Sequence, residues 1–332
     1  MTTNALLMAI AAGIISAVVF ASATTGPLPL RFVLFFLTPL PLYLAGLGLG
    51  PQAAAVSAIV ATLTILALTN PVAALVFVVS TGLPAVLTTR FALLGREREG
   101  ADTAKDMAKD IAKDMEWYPI GRIVMAAALF AGVFASLGLL VMGGDTAALT
   151  KAMHDAVEAF VKTQMPQIPG AATVTDEQIN EIAARASAML PWSLAALSLM
   201  TTLLNLWLAG RITLASGRLA RPWPDLSAVM LPSSATFGLL IALALSFAGG
   251  APGLLASGFS GAFMMAFALV GLAVAHALTR GSPWRNFFLS AIYASLLIFT
   301  PAAALILAIA GLAETIFHYR AAKGGAPTSP NT

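Results

Sequence analysis

The chain has 332 residues, 59% of them hydrophobic and 10% charged, with no cysteine and a formal net charge of +3. Soluble domains carry about 25% charged residues, so a soluble fold is excluded. The missing cysteine removes disulfides, thiolate metal sites and thiol nucleophiles, and so small a net charge gives no footing for nucleic acid.

A bilayer core about 30 Å thick is crossed by roughly 20 apolar residues of helix, and lipid leaves a single segment no other hydrogen-bonded form. Nine apolar blocks meet or approach that length: 5–25, 29–49, 52–69, 71–93, 122–142, 190–209, 228–249, 252–278 and 286–318. The fold class expected is an all-α polytopic integral membrane protein with about 8–10 transmembrane helices, forming one membrane domain over residues 1–320. In the first block Ala21-Ser22-Ala23 resembles a signal-peptidase site, but no Lys or Arg precedes Arg31, so the helix reads as uncleaved. Along it Ala5, Ala9, Gly13, Ala17 and Ala21 recur every four residues. Such a ladder lets a second helix approach closely, either within the chain or on a membrane protein partner.

Beyond the fourth block, residues 94–118 are expected to form a cytoplasmic amphipathic loop. A tetrad repeats three times there, placing Met107, Ile111 and Met115 on one helical stripe, with Asp106 facing Lys109 and Asp110 facing Lys113. That helix lies on the interface or docks a cytoplasmic partner. Residues 143–189 form the second large loop, external and helical. Leu149, Met153, Val157 and Phe160 make its first apolar stripe, and Thr175 with Gln178 makes a capping box opening a second helix. His154 and Glu158 share a face, but two ligands do not make a metal site.

The last block is about 33 residues long, roughly 50 Å of helix, with Pro301 in its middle. Basic residues cluster at 90–122, at Arg211, Arg218 and Arg221, at Arg280 and Arg285, and at Arg320 and Lys323. The positive-inside rule puts all of these in the cytoplasm if the last block is a hairpin. That gives ten crossings of the bacterial inner membrane and both termini in the cytoplasm; a kinked single crossing gives nine and an external C-terminus. Residues 321–332 are expected to be a disordered tail.

Chemistry is mostly excluded. Gly258-Phe259-Ser260-Gly261 resembles the nucleophile motif of rhomboid proteases, but His276 lies about 24 Å further along the same helix. No aspartate falls inside an apolar block, and no Walker loop or H-E-x-x-H is present. The chain is therefore expected to be no enzyme and to need neither cofactor nor metal. The polar residues left within or at the edges of the blocks are Asn205, Arg211, His276 and Glu314, the ligand-binding candidates. Two arrangements are open: one polar cluster, in which Glu314 neutralises Arg211 or Arg320, or separate helix-end residues snorkelling to the interface.

The run from Thr38 to Pro51, with Gly46-Leu47-Gly48-Leu49-Gly50-Pro51 at its end, resembles the N-terminal third of the substrate-binding S components of energy-coupling-factor transporters. That resemblance covers about residues 5–70 and implies a small-molecule-binding, transport-related subunit docking through its first helix. Over its full length the chain resembles the YybS-like family of bacterial membrane proteins of unknown function. The motifs are Asn205-Leu206-Trp207-Leu208-Ala209-Gly210-Arg211, the loop from Arg218 to Pro224, Leu231-Pro232 and the closing Gly311 to Arg320. The alternative to a transport role is a structural or regulatory scaffold.

Overall fold

The computed structural model describes residues 1–25, 28–97, 115–167 and 174–320. Thirteen helices and one strand pair occupy them. The first helix, α1 (Thr3–Thr25), is continuous. The next apolar block is broken: α2 (Leu28–Leu37) stops at Thr38 and α3 (Leu40–Leu49) begins after it. Pro39 and Pro41 supply no amide hydrogens, so the helical ladder cannot run through. Gly50, at φ 104°, lets α3 turn directly into α4 (Pro51–Leu68). The fourth block starts at an Asn70 cap as α5 (Pro71–Phe77), loosens into one π turn at Val78–Gly82, and continues as α6 (Leu83–Ala92).

Strands β1 (Gly95–Glu97) and β2 (Met115–Trp117) pair antiparallel, with Arg96 opposite Glu116. Met115 is therefore on a strand and not on the expected amphipathic helix, because it completes a ladder with Glu97. The tetrads at 104–114, including Met107 and Ile111, lie outside the described residues, as does the tail from 321. Next come α7 (Ile120–Val141) and α8 (Thr146–Thr163), the latter capped by the Asp145 side chain on the Ala148 amide. The Thr175–Gln178 capping box is present, but its helix does not stop before the membrane block. Both form one helix, α9 (Asp176–Ala215), 40 residues or about 60 Å long. Pro191 sits inside it and removes one backbone bond without ending it.

Gly217, at φ 68°, closes α9, and its neighbour Arg218 returns an amide to the Thr213 carbonyl. An extended strap, 217–232, then leads to α10 (Ser233–Ser246), α11 (Gly250–Leu278), α12 (Arg285–Ile298) and α13 (Thr300–Phe317). The long last block thus breaks at Phe299. Arg280 after α11 and Arg320 after α13 both reach Ser227 of the strap, while Gly271 and Gly311 meet between the helices. Hence α11 and α13 run parallel, and α12 between them runs back.

Among the described residues eight helical stretches are long and apolar enough to cross a membrane, and Ser233–Ser246 and Arg285–Ile298 are shorter apolar helices. Their outer faces expose Leu, Ile and Phe side chains such as Leu7, Ile59, Ile241 and Ile306, the surface of an all-α polytopic membrane protein in contact with lipid. Among the described residues, beside two small clusters around Ala9 and Leu139, two large cores lie inside. One gathers Leu42, Tyr43, Ile65, Phe77 and Ala209 from α3, α4, α5 and α9. The other gathers Val124, Leu199, Phe263, Phe267 and Ala308 from α7, α9, α11 and α13. Helix α9 belongs to both.

Candidate functional site

The small-residue ladder of α1 is occupied from within the chain. Ala9, Gly13 and Ala17 are buried, with Ala5 and Ala21 half-buried at its ends. The Ser57 hydroxyl of α4 lies 2.8 Å from the Ala9 carbonyl, and a Cβ on Gly13 would come 2.5 Å from the Ser57 carbonyl. Helix α4 therefore packs against this face within the chain. Periodicity marks a face for close approach without naming its neighbour.

Asn205 is fully buried on α9 and pins the broken helix. Its Nδ2 donates to the Phe36 carbonyl at 2.6 Å and to the Thr201 carbonyl at 2.7 Å. From the other side the Ser16 hydroxyl donates to the Thr38 carbonyl at 2.7 Å. The break before Pro39 frees carbonyls that lipid cannot satisfy, and two side chains from α1 and α9 supply the missing donors. Asn205 Oδ1 is buried with no partner among the described residues.

The other three candidates do not join Asn205. Arg211 is exposed and stacks on Trp223, its guanidinium carbon 5.1 Å from the ring centroid, a cation–π contact. His276 has Nε2 2.9 Å from the Tyr293 hydroxyl, and Arg285 donates to its carbonyl at 3.1 Å. Glu314 is 1% exposed and pairs with Arg320, not Arg211: Nε lies 2.9 Å from Oε1. His318 adopts a left-handed φ of 54°, which turns the chain so that the Arg320 amide also points at the Glu314 carboxylate, 3.3 Å away. Of the two arrangements the single cluster is not formed, because each polar group meets a nearer partner.

What links three of these regions is the strap, which position-by-position reading of the blocks overlooked. Trp223 lies under Arg211. Asp225 meets Arg280 at 3.3 Å, and Arg280 also bonds the Ser227 hydroxyl. The Ser227 and Val229 carbonyls accept from Arg320, the latter at 2.8 Å. Hydrogen bonds from the Ser227 hydroxyl and amide hold the Asp225 carboxyl below its usual range, with Arg280 adding to the effect. A signal was available: Asp225 is the one acid between Arg221 and Arg280. Arg221 reaches back to the Ala92 carbonyl at 3.4 Å and lies 6.0 Å from the Trp117 ring. One end of the bundle thus carries Arg211, Arg221, Arg280, Arg285 and Arg320, and α8 lies at the other.

The protease-like motif is packing. Ser260 is buried and donates to the Ala256 carbonyl at 3.0 Å, while a Cβ on Gly261 would meet the Trp192 backbone at 2.6 Å. On α8, Lys151 holds Asp155 at 2.7 Å and Lys162 holds Glu158 at 2.5 Å. Among the described residues no three His, Asp or Glu side chains gather as a metal site would need.

No curated protein and no solved structure matches the chain. The family described as Predicted membrane protein (DUF2232) matches residues 13–315, a span that takes in the broken helix, all of α9, the strap and Glu314. It is the YybS-like family to which the motifs from Asn205 to Arg320 point, and the chain belongs to it.

Proposed function

We propose that the chain is a non-enzymatic, multi-pass protein of the bacterial inner membrane, serving as a structural or regulatory scaffold through a cytoplasmic, arginine-bearing face. One observation carries this reading: the strap gathers Arg211, Arg280 and Arg320 at a single end of the bundle. The positive-inside rule favours that end as the cytoplasmic one, with both termini there. The interior polar groups Ser16, Ser57 and Asn205 bond to backbone carbonyls, which supports a role in holding helices together. The test is purification of the tagged protein from its own host in a mild detergent, beside an Arg211→Gln variant. Recovery of the same protein partner with the wild type, and its loss from the variant, is the expected result. Equal recovery with both removes the arginine face from the proposal.

A second reading is a small-molecule-binding, transport-related subunit similar to S components. The broken α2–α3 helix favours it, since interrupted membrane helices line binding sites in many transporters, and Asn205 Oδ1 stands beside the break. Recovery of a coupling subunit with its ATPases in the same purification would put this reading first.

A further inference from the structure

The strand pair and the start of α7 enclose a cavity of about 440 Å³, with Arg96, Glu116, Trp117, Tyr118 and Arg122 among its lining residues. Among the described residues its charge is unbalanced. Glu116 is taken by Arg96 at 2.8 Å, an exposed pair with side chains 80% and 41% accessible. Arg122 has no ion-pair partner among the described residues, and Arg221 lies against the Trp117 ring that walls the cavity. Helix α7 opens beside it behind Pro119, with no side chain capping its first amides, so the positive end of the helix dipole adds to the field. The Trp117 indole N–H is buried without an acceptor among the described residues. Tyr118 is held in place by stacking on Phe91, centroids 5.4 Å apart.

Guanidinium groups beside a helix N-terminus suit a phosphate oxygen, and Trp and Tyr at the rim suit the boundary of a bilayer. The outer face of α7 continues the argument. Leu129, Val133, Leu137 and Leu140 are exposed, and their spacing from Arg122 by 7, 11, 15 and 18 positions sets all four on its side of the helix. A cation at the top of an exposed apolar stripe has the layout of a headgroup with its acyl chain. The geometry points to a binding site for a phosphate ester here, occupied by the headgroup of an anionic phospholipid whose chain lies along α7. This inference does not depend on the scaffold reading.

The full-length protein in mild detergent, titrated with phosphatidylglycerol or phosphatidylcholine and read by native mass spectrometry, tests it. Phosphatidylglycerol is expected to bind in preference. Arg122→Gln should weaken it about tenfold, the loss of one charged hydrogen bond, and Arg122→Lys should fall between that and the wild type. Arg218→Gln, at a residue that does not line the cavity, should leave binding unchanged. Inorganic phosphate alone is the second arm: if it binds at the same concentrations and Arg122→Gln removes it, the site stands and its ligand is a soluble phosphate. Equal binding of the two lipids, or equal loss in Arg122→Gln and Arg218→Gln, would overturn the site. The lipid-free melting temperature of Arg122→Gln, whose changed side chain is exposed, reports whether folding is intact.

Discussion

The two cores lean on different means of assembly. In the first, around α1–α6, one apolar block is broken and another is loosened by a π turn, and polar side chains cross between the helices: Ser16 to Thr38, Ser57 to Ala9, Asn205 to Phe36, Tyr43 to Thr88 at 3.0 Å. In the second, around α7, α11 and α13, the helices run unbroken and glycines let backbones touch. Added Cβ atoms would come 1.9 Å from the Leu307 carbonyl at Gly271 and 2.0 Å from the Phe267 carbonyl at Gly311. Lipid is as apolar as leucine, so burial of apolar surface does not drive membrane helices together. Both halves use both means, since Gly13 also meets the Ser57 backbone and Ser136 donates to the Leu255 carbonyl at 3.0 Å, but crossing hydrogen bonds are more frequent in the first half and the tightest glycine contacts lie in the second.

If that contrast is right, Gly311→Val is the most damaging single change. It forces carbon into a backbone carbonyl, and overpacking of this kind costs about 3 kcal/mol or more. Loss of a monodisperse peak in size-exclusion chromatography is expected, whereas Gly138→Ala, at a glycine with open space around it, should behave as wild type. Glu314→Gln comes next, since it leaves Arg320 without its charge partner in a place where that side chain is 12% exposed. A cost of about 3 kcal/mol follows from breaking a buried pair on one side, and trypsin cleavage after Arg320 should speed up. Asn205→Leu is the mildest. It removes the amide donor to the Phe36 carbonyl at the helix break while Ser16 keeps its bond to Thr38, for about 1 kcal/mol, read as a lowered melting temperature in detergent. Should Asn205→Leu prove as damaging as Gly311→Val, the directed bonds would outrank close packing and the contrast would fail.

Much of this could be read from residue types. The apolar blocks marked the membrane helices, and Thr175 with Gln178 marked the start of α9. Hydropathy did not reveal the break at Thr38, because Pro39 and Pro41 scarcely lower the average of a leucine-rich window. It also hid the continuity of α9: the charged stretch before Leu190 reads as a separate helix when apolar length is the only measure. Among the candidate site residues, Glu314 and Arg320 were legible as a pair, being six apart at one helix end. Asn205 was legible as unusual but not as a pin, since its partner Phe36 is 169 positions away. The strap was the least legible part, because its two bonds to Arg320 use carbonyl groups, which every residue carries, and Asp225 lies 55 positions from its partner Arg280.

Helix α9 has a mechanical consequence. One rod about 60 Å long packs on α8 at its first third, on both cores along its middle, and ends at Arg211 beside Trp223. A helix is stiff along its axis, so a load on α8 reaches the strap as a displacement and is not absorbed between them. The two faces of the bundle are geared together, and Pro191, where one backbone bond is missing, is the place at which that gearing would slip.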